Sequence, residues 1–388
     1  VSFVVNKLIL KNIAIFGAGV TIAFLGIIGL NSYNNIKELE GEKIEFYGKH
    51  QAGITTPAQK YVYFAVLNLD NMDKENVREM FKFWTDYSSK LVNGEIVEPE
   101  LSNHFLPPKD TGESIDQGPN NLSITFGLGL SFFEKLGLDK KIIPEFKELP
   151  HFPKDQLKEG LTGGDICIQV CADDPQVAFH AVRNLVRKAR GSVSLKWAQS
   201  GFLPKSKETP RNLFGFKDGT VNPRKKSEFD KEIWYDGNNW FKDGTFLIVR
   251  KIQMFLDTWD RTNLQEQENT FGRYKKSGAA FGSNNEFSNV DMSKLPLDSH
   301  VFLARKANSK ILRRAFSYAD GVVEGTGQFD TGLLFISFQK DPEQFIKIQN
   351  MLGADDKLNE YIKHIGSGIF AILPGVEKGK YLGQSLFE

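Results

Sequence analysis

Cysteine is nearly absent: 388 residues contain two, Cys167 and Cys171. No disulfide framework, zinc ribbon or iron–sulfur cluster can be built from so few thiols. Both fall in the apolar run 165–171 (DICIQVC). On a strand they share a face about 13 Å apart, beyond disulfide reach, and read as two small core residues. An excess of one charge is lacking as well, with 49 Lys plus Arg against 48 Asp plus Glu and a net charge of +1. Without a basic surplus to neutralise phosphates, nucleic acid is not an expected partner. The six histidines are His50, His104, His151, His180, His300 and His364, and no two lie close enough for a local metal motif. There is no Gly-Lys-Ser/Thr phosphate loop and no G-x-S-x-G nucleophile elbow.

Long apolar runs are limited to one. Residues 13–30 (IAIFGAGVTIAFLGIIGL) carry no charge, follow Lys7 and Lys11, and precede an acidic-rich stretch from Glu38 to Glu45. That length stands at the threshold for spanning a bilayer, and the layout is also that of a signal peptide. Residues 1–35 are therefore expected to export the protein or tether it to a membrane. The destination is extracytoplasmic or at the cell envelope of a bacterium. No convincing cleavage site and no twin arginine marks the route.

The remainder has ordinary globular composition, 40% hydrophobic and 25% charged, with Phe unusually frequent at 32. At ~150 residues per domain the length suggests two or three folding units. A strand is expected at 60–69, a helix from Asp73 with Val77, Met80, Phe81, Trp84 and Tyr87 on one stripe, and strands at 122–126 and 166–171. Asp174-Pro175 then opens a helix that stops at Gly191, and 192–198 returns as a strand. The second half repeats this: a strand at 245–255, a polar helix at 257–273, a strand at 333–338, Asp341-Pro342 opening a helix, and a strand at 369–373. Alternation of this kind predicts an α+β chain of two ferredoxin-like (split βαβ) domains, a dimeric α/β barrel type duplicated in one chain. Their bounds are expected at 50–210 and 211–388, joined through the polar stretch 201–211.

The most unusual stretch is 211–223 (RNLFGFKDGTVNP), where Gly215 and Gly219 flank Asp218. Such glycines suit a strained turn that aims a carboxylate, although a turn-capping Asp gives the same pattern. This segment resembles the G-x-x-D-G signature of the dye-decolorizing haem peroxidases, in their deferrochelatase branch. Further segments resemble the family in order: 50–54 (HQAGI), 164–169 (GDICIQ), 259–262 (WDRT), 299–301 (SHV), 312–314 (LRR), 332–335 (GLLF) and 374–376 (PGV). The resemblance runs from about His50 to the C-terminus.

The resemblance implies one haem b per chain, bound by the C-terminal domain. His300 resembles the proximal iron ligand, which explains why one isolated histidine suffices. Asp218 resembles the distal acid–base residue, and Arg313 the distal arginine that stabilises developing negative charge. Arg314 ranks below Arg313 as a neighbour of structural or solvated character. Leu333 and Phe335 share one face of a strand and resemble the apolar distal wall; core packing explains them equally well. Ala315 stands where some branches carry a distal asparagine. The implied activity is reduction of hydrogen peroxide with oxidation of bulky phenolic or dye-like donors, together with a disputed release of iron from haem. The alternative is a non-enzymatic exported haem-binding or relay protein for iron acquisition. A homo-oligomer is expected.

Overall fold

The structure, a computed structural model, describes residues 42–97, 105–204 and 208–388. The apolar run 13–30 and His104 lie outside these residues. Nine strands form the frame: β1 (Tyr61–Leu69), β2 (Ser123–Leu128), β3 (Ile166–Ala172), β4 (Val193–Phe202), β5 (Thr245–Met254), β6 (Leu312–Arg313), β7 (Phe316–Val322), β8 (Phe329–Gln339) and β9 (Ile362–Ile372). Five helices matter here: α1 (Lys74–Leu91), α2 (Pro175–Lys188), α3 (Leu264–Phe271), α4 (His300–Lys306) and α5 (Pro342–Asp355).

All strand pairings are antiparallel, in the order β5-β9-β2-β3-β1-β4-β7-β8-β6, and β5 also pairs with β8, so the sheet closes on itself as a barrel. Each half contributes the same local order. In the first it is β2-β3-β1-β4, and in the second β9-β5-β8 followed by β7 and β6. Within a half, a helix-bearing connection crosses one strand between β1 and β2, and again between β3 and β4. The Asp-Pro helix starts form as expected: Asp174 accepts from the Val177 and Gln176 amides, and Asp341 caps α5 with a reciprocal bond from Gln344.

Alternation along the strands builds two cores. Val62, Phe64, Val66, Cys167, Cys171, Leu334, Ile336 and Phe370 fill the barrel interior. Ala65, Leu67, Ile168, Phe246 and Ile248 face outward and pack under the helices with Phe81, Trp84 and Phe345. Both cysteines are buried and free.

Three expectations need correction. The polar helix at 257–273 is two pieces, Leu256–Asp260 and α3, because Asn263 caps a fresh helix by accepting from the Glu266 amide. The polar join at 201–211 begins inside β4, which reaches Phe202 because Tyr61 continues the ladder opposite it. The strand expected at 333–338 is the inner part of the longer β8, and that expected at 369–373 is the C-terminal end of the longer β9, which stops at Ile372.

Candidate active site

The loop 211–223 carries two glycines at positive φ, Gly215 at 83° and Gly219 at 106°, conformations a side chain would strain. The turn they allow is fixed by Arg211, whose guanidinium donates to the carbonyls of Gly215, Lys275 and Lys276. Lys217 and Thr220 hold the buried Glu286 at 2.8 and 3.0 Å. Between these anchors Asp218 projects towards β6, and its Oδ1 lies 2.9 Å from Nη1 of Arg313. About a fifth of each side chain is exposed, 19% for Asp218 and 21% for Arg313, so the pair opens onto solvent.

The register of β6 opposite β8 sets Arg313 beside Ser337. Residues 333, 335 and 337 share a face of β8, so Arg313, Leu333 and Phe335 point to the same, outer side of the barrel. Leu333 and Phe335 remain half-exposed while Leu334 and Ile336 are buried inside. Leu333 packs against the cluster of Phe214, Phe216, Trp259 and Phe271, and Phe335 meets Phe345 at 5.9 Å between ring centroids. The result is an apolar ledge that the core only partly covers.

His300 opens α4, and its ring lies 6.0 Å from that of Phe271, edge to face, beside the same aromatic cluster. Its Nδ1 is 2.7 Å from Oδ2 of Asp356. Asp356, at the end of α5, is 3% exposed, and its other oxygen accepts from the Leu358 amide. Since a carboxylate only accepts, the neutral ring carries its proton on Nδ1 and its lone pair on Nε2. A carboxylate behind an imidazole is the usual support of a metal-ligating histidine.

Three of the other described histidines suit that task less well. His180 spends both ring nitrogens, 2.8 Å from Asp110 and 2.8 Å from Ser114. His50 stacks on Trp234 and bonds the Asp243 carbonyl. His364 is buried beside Arg250, and burial followed by that guanidinium pushes its pKa down to about 3. Arg273 lies within electrostatic range of both Arg305 and Arg313; burial chiefly, then those two cations, lower its pKa. Arg314 faces away: it donates to the carbonyls of Thr56 and Pro57 and to Oε1 of Gln59. Among the described residues no cluster of three His, Cys, Asp or Glu could hold a bare metal ion.

The sequence reading selected Asp218, Arg313, His300, Leu333 and Phe335. The structure pairs the first two and sets Arg313, Leu333 and Phe335 on one face. His300 lies beside the aromatic cluster that also receives Leu333. Two further residues went unnoticed: Asp356 behind His300, and Asn222, whose amide bonds the main chain of Arg313. Neither carries a spacing signal, since each meets its partner only through the fold.

An imidazole backed by a carboxylate, an acid–arginine pair and an apolar ledge are the parts of a candidate haem-peroxidase site. Comparison with known proteins agrees. Residues 51–203 match the N-terminal and 209–377 the C-terminal domain profile of the Dyp-type peroxidases. The chain is 38% identical over 378 residues to the deferrochelatase of Shigella boydii serotype 4 (strain Sb227), and 37% to that of Escherichia coli (strain K12); each alignment covers 90% of this chain and 88% of the relative. Ferric DtpA from Streptomyces lividans superposes with a TM-score of 0.83 at 34% identity, covering 90% of this chain and 98% of that one. A DyP-type peroxidase from Cellulomonas bogoriensis gives 0.82 at 32%, covering 90% and 99%. The chain belongs to the Dyp-type peroxidase family. It is an enzyme of that family, and its cofactor is haem.

Proposed function

We propose that this protein reduces hydrogen peroxide at haem and oxidises bulky phenolic or dye-like donors, with His300 as the iron ligand and Asp218 and Arg313 as the peroxide-handling pair. The observation that carries this reading is the 2.9 Å contact between Asp218 and Arg313, which are far apart in sequence. The residues present fit one haem: a histidine with its Nε2 lone pair available, an apolar ledge at Leu333 and Phe335, and the guanidinium of Arg313 on the same face. Haem supplies the iron that accepts electrons from donors and passes them to peroxide. Asp218 takes the proton from one peroxide oxygen and returns it to the other, which departs as water. The Arg313 guanidinium stabilises the negative charge that grows on the separating oxygen. A carrier protein would need only the iron ligand, so the acid–arginine pair favours turnover over haem relay.

The test uses purified protein loaded with haem. His300→Ala should lose most of the Soret band. Asp218→Asn should keep the band and react with peroxide ~10²–10⁴-fold more slowly, and Arg313→Leu ~10²–10³-fold more slowly. Parental rates in both variants would overturn the assignment of the pair, and an unchanged spectrum in His300→Ala that of the ligand. Iron release is supported by the deferrochelatase relatives, and recovery of an intact iron-free tetrapyrrole would establish it.

The repeated strand order supports reading each half as a ferredoxin-like unit, divided near residue 210 into 50–210 and 211–388. The apolar run 13–30 supports an exported or membrane-tethered protein, and a homo-oligomer remains our expectation. Among the described residues no helix is long and apolar enough to cross a membrane. Fractionation of cells making the intact chain should place it in the membrane or outside the cytoplasm; an unprocessed cytosolic product would overturn this.

A further inference from the structure

β6 is only two residues long and pairs with β8 along one edge, Leu312 opposite Phe338 and Arg313 opposite Ser337. Its other edge closes the strand order, with no neighbouring strand. At Arg313 that edge is not bare. The side-chain amide of Asn222 donates from Nδ2 to the Arg313 carbonyl at 2.7 Å, and its Oδ1 accepts from the Arg313 amide at 3.1 Å. A carboxamide has the donor and acceptor of a peptide group, so Asn222 supplies what one residue of an adjacent strand would. The network also fixes which end of the amide is oxygen, because the reverse orientation would set two donors and two acceptors face to face.

We infer that Asn222 is a positioning residue that fixes the geometry of the Asp218–Arg313 pair. The inference rests on the reading of that pair given above. Asn222 lies four residues beyond Asp218 in the same loop, and its main-chain N–H donates to the Gly219 carbonyl at 3.1 Å. The loop that carries the carboxylate is thereby bolted to the main chain that carries the guanidinium. Two bonds replace a strand that β6 lacks, and a short strand without them can shift relative to the loop. Misplacement by about 1 Å can cost a reaction ~10²-fold.

Asn222→Asp keeps the size but sets a carboxylate oxygen against the Arg313 carbonyl, and Asn222→Ala removes both bonds. Both variants should bind haem as the parent does and react with peroxide at least about tenfold more slowly. In an Asp218→Asn background the same changes should cost little more, because there is no longer a pair to align. A merely structural residue would lower the melting temperature while leaving the peroxide rate unchanged, or would lower it equally in both backgrounds; either result overturns the inference. A second readout needs no haem. Hydrogen exchange of the haem-free protein should quicken in the peptide containing Arg313 in both variants and stay unchanged in the barrel strands β1 and β3. Unchanged exchange at Arg313 would overturn the clamp. If the parent itself fails to react with peroxide, the reading of the pair has failed instead, and exchange still decides the clamp.

Discussion

A histidine ring offers two nitrogens, and what one touches decides what the other can do. At His300, Asp356 claims Nδ1 from a buried position, with its second oxygen already bonded to the Leu358 amide. With His300 as the proposed iron ligand, a carboxylate behind Nδ1 would make Nε2 a stronger donor and favour the ferric state. Asp356→Asn preserves shape and one acceptor but removes the charge. The midpoint potential of the bound haem should rise, and affinity or activity should fall ~10–100-fold. A spectroelectrochemical titration checks this, and a lowered or unchanged potential would contradict it. Asp218, Arg313 and His300 were legible in the sequence because each sits in a short segment that resembles a family signature. Asp356 and Asn222 were not, because hydrogen-bond partners joined by tertiary structure leave no local pattern.

At the scale of elements, the barrel is strongest within each half and thin where the halves meet. β2 joins β9 through Gly127–Ile372 and Leu128–Ala371, and β4 joins β7 through Phe202–Ser317. Side chains complete what the ladders leave short. The buried amide of Gln51 bonds both the amide and carbonyl of Phe126 on β2, and also the Leu373 carbonyl just beyond β9. On the other side Arg314, in the break between β6 and β7, grips the segment leading into β1 at Thr56, Pro57 and Gln59. Adjacent arginines thus serve different ends, since side chains alternate along an extended chain. Arg314→Ala would leave buried acceptors without donors, and charge-assisted hydrogen bonds of this kind are worth about 1.5–3 kcal/mol. Urea unfolding should report a loss of that order, while the protein that stays folded retains the parental peroxide rate. A selective fall in rate at undiminished stability would instead place Arg314 in the reaction. The strands β1, β3 and β5 were visible from their runs rich in β-branched and aromatic residues. β6 and β7 were missed because Leu312–Arg313 is too short for any period, and β7 ends in the exposed residues Ala319 to Val322, which break its apolar pattern.

The whole molecule is also tied together by a connection of the first half that lies against the second. Residues 155–163, leading into β3, run along β9: the amides of Gln156, Lys158 and Gly163 donate to the carbonyls of His364, Ile365 and Ser367. Beneath this strap Arg250 pairs with Asp155, donates to Ser367, and lies over the Phe152 ring. His364 is 5% exposed in the same place. Burial and the neighbouring guanidinium oppose its protonation, lowering its pKa from the ordinary 6.5 to about 3. In the unfolded chain the same ring protonates near 6.5. Between those values the unfolded state binds a proton that the folded state refuses, so stability falls as pH drops below about 6.5 and levels off near 3. The steepest slope from one such group is about 1.4 kcal/mol per pH unit. His364→Gln cannot be protonated and should remove this component while leaving those of the carboxylates in place. Urea unfolding of parent and variant from pH 8 to pH 4.5 should give a stability difference that is constant above about pH 7 and shifts in favour of the variant below it. Curves that stay parallel over the whole range would mean that His364 takes up its proton inside the fold, and that the strap opens to water before the barrel does.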